Sequence, residues 1–461
     1  MAARMAAVPL VFLGVGLYRA WLATFFRYDA FPTMQVSDYF LFEAAIGAAS
    51  LGLAFAARRV CPLWSNRRAA WATVLAMTAG SALAALGCFV VPSVVLKTAG
   101  LVLAGAGLAS TILMWAEFYG SVNPVRVALY HSMGIFAGEA LKWLFMGLET
   151  SYLVFFSIAL PAACVASVRA SIRRLPRDER PAESRREGAR VIPTKAVALM
   201  AACSFAAAFG ALPVWPLTFG NAAGAMGACA LVCVGVLAQT RRFNFDTVYQ
   251  LAFPLFIIAF LFVSPVFTGD SAFTAASYDA GYTMLTIFMV IVFANITYRS
   301  GVNAVWACGI ERGIRYVAEL AGWGSSAALG AQADPSVTSA VFTAITVAVA
   351  AVFAAVFFSE RGFSATWGLV LDDAGASSSE ERWRMLRVSE LAKRFELSPR
   401  EGEVLRLLAE RKTVPQMEDD LFIAQGTIKA HISHIYRKLG VHSRTELFAL
   451  FEDCERPPRD A

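Results

Sequence analysis

The chain has 461 residues, 58% of them hydrophobic and only 16% charged, with a mean hydropathy of +0.58. Soluble globular chains carry about 25% charged and 45–50% apolar residues, so this composition excludes an all-soluble protein and indicates a polytopic membrane protein. The net charge of +6 is modest. Its distribution is uneven.

Eight cysteines (Cys61, Cys88, Cys164, Cys203, Cys229, Cys233, Cys308 and Cys454) are scattered, mostly within apolar runs. They form no CxxC pair beside histidines at ligand spacing, which leaves no signal for a disulfide framework, a metal site or a cofactor.

The N-terminus, "MAARMAAVPLVFLGVGLYRAWLA", has Arg4 ahead of an apolar run that continues to Phe26. A signal peptide is the alternative, but a retained first membrane span is the expectation. A helix crossing a bilayer needs roughly 20 mostly apolar residues. Candidate spans begin near Val8, Asp38, Ala70, Val94, Arg126 and Ser151, then near Thr194, Thr218, Val248, Ala275, Gly301 and Val337. The hydrophilic segment "RASIRRLPRDERPAESRREGARVIP", Arg169 to Pro193, separates six spans from six.

Lys and Arg favour the cytoplasmic side of short connections. "RRVCPLWSNRR", the central arginine-rich segment and "QTRRFNF" are all even-numbered connections, whereas "SPVFTGDSAF" and "GAQADPSVTS" hold no Lys or Arg. Both termini are therefore expected in the cytoplasm, with the chain in the inner (cytoplasmic) membrane.

Ionisable residues inside these spans are informative, because a charge at the bilayer centre costs at least ~2.5–3.5 kcal/mol. They include Arg19, Glu43, Glu117, His131, Glu139 and Lys142. The eleventh span adds Glu311, Arg315 and Glu319 on one face at intervals of four, with Arg312 about 100° round the helix. One reading is an internal ion-pair network that locks helices together, with Glu139 and Lys142 another such pair. The other is a cavity between the two halves, where Arg19, Glu117, Glu139, Glu311, Arg312, Arg315 and Glu319 contribute to a small-molecule site. Tyr18, Trp21, Trp115, Trp143, Trp306 and Tyr316 are its candidate aromatic walls.

After Phe358 the composition changes. "LDDAGASSSEE" is an acidic, flexible linker, and from Arg382 the chain reads as soluble and helical. In "SPRE", Ser398 caps, Pro399 takes the first helical position and Glu401 closes a capping box. In "TVPQ", Thr413 and Gln416 do the same, with Pro415 in the first turn. Val404, Leu405 and Leu408 share one face. In "GTIKAHISHIYRKLG", Ile428, Ile432, Ile435 and Leu439 form an inward stripe, while Lys429, Ser433 and Arg437 lie on the opposite face. No acidic residue occurs from Leu421 to Thr445, and three of the four histidines (His431, His434, His442) fall in that interval. An apolar-backed, basic-fronted helix after a short helix suits the major groove of double-stranded DNA.

Two resemblances follow from these residues. The six-plus-six arrangement, the basic stretch "GLAFAARRVCPLWSNRR" and the Gly/Ala-rich "GLVLAGAGLASTILMW" resemble the major facilitator superfamily, although the usual Asp of the basic loop is missing. Leu397 to Leu447 resembles the LuxR-type helix-turn-helix, with "SPRE", "GTIKAHISHIYRKLGV" and "SRTEL" at the expected separations.

That second resemblance implies that Lys429, Ala430 and Ser433 face base edges and that Thr427, Arg437 and Lys438 contact phosphates. It implies a packed, non-catalytic His431, and a last helix over Ser443–Phe451 that pairs two copies as a homodimer. Arg411, Gln416 and Glu418 depart from the family pattern, and Glu418 is the departure expected to weaken binding.

The expected fold is thus all-α: a twelve-span membrane domain over 1–358 (halves 1–168 and 194–358), a linker over 359–390, and a four-helix LuxR-type head over 391–455. The expected function is non-enzymatic: a membrane-bound one-component transcription regulator that senses a small molecule. The alternatives are a facilitator-type transporter with an accessory DNA-binding tail, or a scaffold whose head no longer binds DNA.

Overall fold

A computed structural model describes residues 8–25, 35–122, 124–175, 180–181, 194–211, 219–238, 271–300 and 302–332, with isolated positions at 341, 344 and 348. It also describes 388–452 apart from 389, 393, 411, 422 and 424. The chain divides into two compact units, Met1–Leu371 and Asp372–Ala461.

In the first unit, a 3-10 turn (Leu10–Leu13) leads into α1 (Val15–Phe25), followed by α2 (Val36–Val60) and α3 (Arg67–Ala85). A π turn (Leu86–Val90) ends α3. Then come α4 (Val94–Tyr119), α5 (Pro124–Phe145), α6 (Thr150–Arg174), α7 (Thr194–Ala211), α8 (Phe219–Ala238), α9 (Ser271–Ser300) and α10 (Ala304–Gln332). The ten helices correspond to ten of the expected spans. The spans expected near Val248 and Val337 lie outside the described residues, as does the "QTRRFNF" connection.

Among the described residues, five helical stretches are long and apolar enough to cross a membrane: Ser37–Val60, Arg67–Val90, Val94–Tyr119, Thr150–Arg174 and Asp279–Tyr298. Val197–Ala206 and Ala222–Val236 are shorter apolar helices. Lone apolar helices satisfy their own backbone hydrogen bonds, which is what lipid demands. The protein is a multi-pass membrane protein.

Small residues set the helix spacing. Gly80 of α3 and Gly100 of α4 face each other so closely that a Cβ on Gly80 would lie 2.5 Å from Ala104 N and 2.7 Å from Gly100 O. Across the two halves, a Cβ on Gly309 of α10 would lie 2.8 Å from both Ser50 O and the Ala54 Cβ of α2. Lipid tails are as apolar as the helices, so association rests on such close packing. The halves meet where α2 packs on α10 and α5 packs on α8 and α9.

The second unit, the head, contains α11 (Pro399–Ala409), α12 (Val414–Leu421), α13 (Gln425–Leu439) and α14 (Arg444–Glu452). Its starts follow the expected chemistry. Ser398 Oγ accepts from Glu401 N at 3.3 Å while Glu401 Oε2 accepts from Ser398 N at 2.7 Å. Gln416 Oε1 accepts from Thr413 N at 2.8 Å. At the start of α14, Glu446 N donates to Ser443 Oγ at 3.1 Å, while the Glu446 carboxylate accepts from Ser443 Oγ at 3.0 Å and from His442 N at 2.8 Å. Gly440, with φ 68°, ends α13 in the left-handed conformation and lets Val441 N reach Tyr436 O at 3.0 Å.

The head core joins Val404, Leu405 and Leu408 of α11, Met417 of α12, Ile428, Ile435 and Leu439 of α13, and Leu447 of α14. Ile432 is only partly buried against it.

Replacing Gly80 with valine should destabilise the membrane unit by about 1–3 kcal/mol, the usual consequence of overpacking. Gly52→Val, where a Cβ meets nothing within 4 Å, should leave the melting temperature of the detergent-solubilised protein unchanged. Equal melting of the two variants would show that the α3–α4 contact does not set this spacing.

Candidate nucleic-acid interface and buried cleft

In the head, α13 turns its apolar stripe inward and leaves Thr427, Lys429, Ala430, Ser433 and Arg437 exposed on the outer side. Lys429, Ser433, Tyr436, Arg437 and His442 line an open groove of about 910 Å³ along this helix. Nothing acidic stands on the helix to neutralise it. The geometry is that of a recognition helix carried on a packed three-helix support, with α12 preceding it.

Lys438 is placed differently from the sequence expectation. Its Nζ donates to Glu401 Oε2 at 2.7 Å and to Glu396 O at 3.1 Å, tying the end of α13 to the start of α11. His434 Nδ1 lies 3.9 Å from the other oxygen of the same carboxylate. The hydrogen bond from Lys438 is the main reason that the Glu401 carboxyl falls to about 2; burial opposes it, and the Ser398 backbone N–H and hydroxyl assist. Glu401 therefore serves both as a capping residue and as an anchor for the recognition helix. The Ser398–Glu401 box was legible in sequence, but the 37-residue reach to Lys438 had no local signal.

Arg400 Nη2 donates to Leu421 O at 2.8 Å and Arg444 Nη2 to Lys412 O at 2.7 Å, so two more basic residues hold the head together rather than face outward. Arg411 lies outside the described residues. Glu418 is half-buried on α12.

In the membrane unit, a narrow cleft opens between α1, α4 and α5 on one side and α9 and α10 on the other. Glu311, Arg312 and Arg315 line it, as the cavity reading expected. The ion-pair reading is equally visible: Arg315 Nε lies 3.3 Å from Glu319 Oε1, and Arg312 Nε lies 3.6 Å from Glu311 Oε2. Tyr282, which the sequence reading passed over, accepts from Arg315 Nη2 and donates to Glu319 Oε1. The Arg315 guanidinium also stacks 5.1 Å from the Tyr282 ring centre and 5.8 Å from that of Tyr316.

The remaining expected ligand residues are dispersed. Glu117 does not line the cleft; its two carboxylate oxygens accept from Leu63 N at 2.7 Å and Trp64 N at 2.9 Å, so it clamps the basic connection between α2 and α3. Glu139 pairs with Lys142 at 3.2 Å, and Arg19 lies near Glu139 but is not a cleft residue. Glu319 stands behind Arg315.

Of the expected aromatic walls, Tyr18 and Trp115 line the cleft. Trp21 is buried elsewhere, donating to Ser157 O at 2.9 Å, and Trp143 is exposed. Tyr316 packs on Gly47, and Trp306 packs in the apolar core. His131, expected only as an intramembrane ionisable group, is a cleft residue, with Nδ1 3.2 Å from the Tyr119 hydroxyl. Among the described residues, no group of three His, Cys, Asp or Glu side chains is placed to hold a metal ion.

The head is a helix-turn-helix DNA-binding domain in its architecture. Comparison with known proteins agrees: the description "Bacterial regulatory proteins, luxR family" matches residues 396–451. Spore germination protein GerE of Bacillus subtilis is 42% identical over 50 residues, 11% of this chain and 68% of that protein. The transcriptional regulatory protein LiaR of the same organism is 46% identical over 50 residues, but the match spans only 24% of its length. For the uncharacterized regulatory protein YvfU the figures are 40% over 57 residues and 28%.

The chain belongs to the luxR family of bacterial regulatory proteins through this head. Among solved structures, the major facilitator superfamily transporter FucP in its outward conformation is similar over 77% of this chain and 99% of its own, at 16% identity and a TM-score of 0.45.

A carboxyl held below its ordinary value stabilises the fold above the unfolded value of about 4.3, and that contribution is lost as pH falls toward 2. In urea titrations of a fragment starting at Asp372, Glu401→Gln should lower stability at pH 7 by about 1–3 kcal/mol. It should also flatten the acid limb between about pH 4.5 and 2. A variant with an unchanged acid limb would remove the Lys438–Glu401 link as its cause.

Proposed function

We propose that this protein is a membrane-anchored one-component transcription regulator, in which the membrane unit senses a small molecule and the head binds DNA sequence-specifically. The observation that carries the reading is the exposed, uncompensated basic face of α13 on a luxR-family head that follows a polytopic membrane unit. Thr427 and Arg437 meet phosphates, while Lys429, Ala430 and Ser433 face base edges; Lys438 orients the helix. A homodimer on DNA, paired through residues 443–451, matches a two-fold site. Both termini lie on the cytoplasmic side of the inner membrane, where the basic connections and the DNA are.

The cleft between the halves, rimmed by Glu311, Arg312 and Arg315, is the sensing site. A ligand that prefers one arrangement of the halves by several kcal/mol converts a mostly inactive population into a mostly active one. The cleft equally favours a second reading, a transporter with an accessory tail. Solute uptake that survives deletion of the residues after Leu371 would favour that reading over sensing.

Lys429→Glu should abolish promoter binding while membrane insertion is unchanged, and the wild-type affinity should fall steeply with salt as phosphate contacts require. Binding that survives in the variant would remove α13 as the recognition helix. In cells carrying a reporter on the regulated promoter, Arg315→Ala should blunt the response to an inducer drawn from a small-molecule panel without changing basal DNA affinity. An unchanged dose curve would leave Arg315 with a purely structural role.

A further inference from the structure

Three residues that line the cleft each carry a buried polar atom without a hydrogen-bond partner: Trp115 Nε1, His131 Nε2 and Glu311 Oε1. Their residues are 2%, 3% and 5% exposed. Buried donors and acceptors are ordinarily satisfied, so three orphan atoms on residues that line one cavity point to an occupant that completes them once their side chains turn toward it. The indole N–H can only donate and the carboxylate oxygen only accept, whereas the imidazole nitrogen takes either role according to which tautomer faces Tyr119.

The charges in the cleft are already balanced from within. Arg315 is held by Glu319 and Tyr282, and Arg312 faces Glu311. An anion drawn to either arginine would strip a buried carboxylate of its partner, which is strongly unfavourable where water is scarce. A cation drawn to Glu311 would meet Arg312 and Arg315. The rest of the wall is apolar, with Val15, Ile112, Met289 and Phe293 among its residues. Only an electrically neutral occupant satisfies the orphans without breaking the pairs.

Building on the sensing role of this cleft, we infer that its ligand is an uncharged, largely apolar compound with a hydroxyl or carboxamide head. Such a head is both donor and acceptor: it donates to Glu311 Oε1, accepts from Trp115 Nε1–H and suits His131 in either tautomer.

The test uses three probes with one apolar body and different heads, 4-phenylbutan-1-ol, 4-phenylbutanoate and 4-phenylbutylammonium. Equilibrium binding is measured at pH 7 to the full-length protein in phosphatidylcholine nanodiscs, with empty nanodiscs as the blank for partition into lipid. The alcohol should bind saturably and about tenfold more tightly than either charged probe. Trp115→Phe, which removes the N–H and keeps a flat ring, should weaken it about fivefold, the usual value of one neutral hydrogen bond.

Preference for a charged probe, with the same sensitivity to Trp115→Phe, would overturn the neutral class while leaving the cleft as a sensing site. An alcohol affinity indifferent to Trp115→Phe would overturn the proposed contact. Absence of saturable binding by all three would overturn the inference, and then only the reporter response of Arg315→Ala would speak to sensing.

Discussion

A charge buried in a low-dielectric interior must find its counter-charge within the protein, and this constraint organises the membrane unit. α10 carries Glu311, Arg312, Arg315 and Glu319 through that unit, and each ion stands within 4 Å of an opposite one on the same helix. Tyr282 of α9 completes the set by bridging Arg315 and Glu319. The same rule acts elsewhere: Lys97 of α4 lies 2.7 Å from Asp38 of α2, and Glu117 satisfies two backbone N–H groups of a connection. Close packing of the two halves runs along Gly309 and Gly47, beside these pairs.

The head follows the opposite logic. There the carboxylate of Glu401 is used inside the domain, against Ser398 and Lys438, and α13 itself carries no acidic residue on its basic outer face. Water solvates that face at little cost until a polyanion replaces the water and its counterions. Charge closed on itself in the membrane and charge left open on the head give one chain two kinds of surface. One is suited to lipid, the other to nucleic acid.

The cleft lies between the two halves of the membrane unit. Its arginines are braced by glutamates and a tyrosine, while the atoms that remain unpartnered are an indole N–H, an imidazole nitrogen and one carboxylate oxygen. A guest that completes them touches α4 and α5 on one side and α10 on the other, so its binding energy depends on the separation of the halves. Such a dependence is what a two-state sensor requires.

The sequence by itself determined the periodic and local features. Runs of apolar residues placed ten helices close to where they lie, and Ser398, Thr413 and Gln416 announced helix starts because capping is settled within four residues. The inward stripe of α13 and its exposed basic side followed from helical spacing alone. Tertiary structure decided everything that joins distant positions. It took Lys438 from the phosphate-facing set to Glu401, sent Glu117 to a connection rather than the cleft, dispersed Trp21 and Trp143, and brought His131 and Tyr282 to the buried charges. Local patterning specifies which way a side chain faces on its own helix; which partner it meets depends on how helices far apart in the chain cross, and no short window of sequence contains that information.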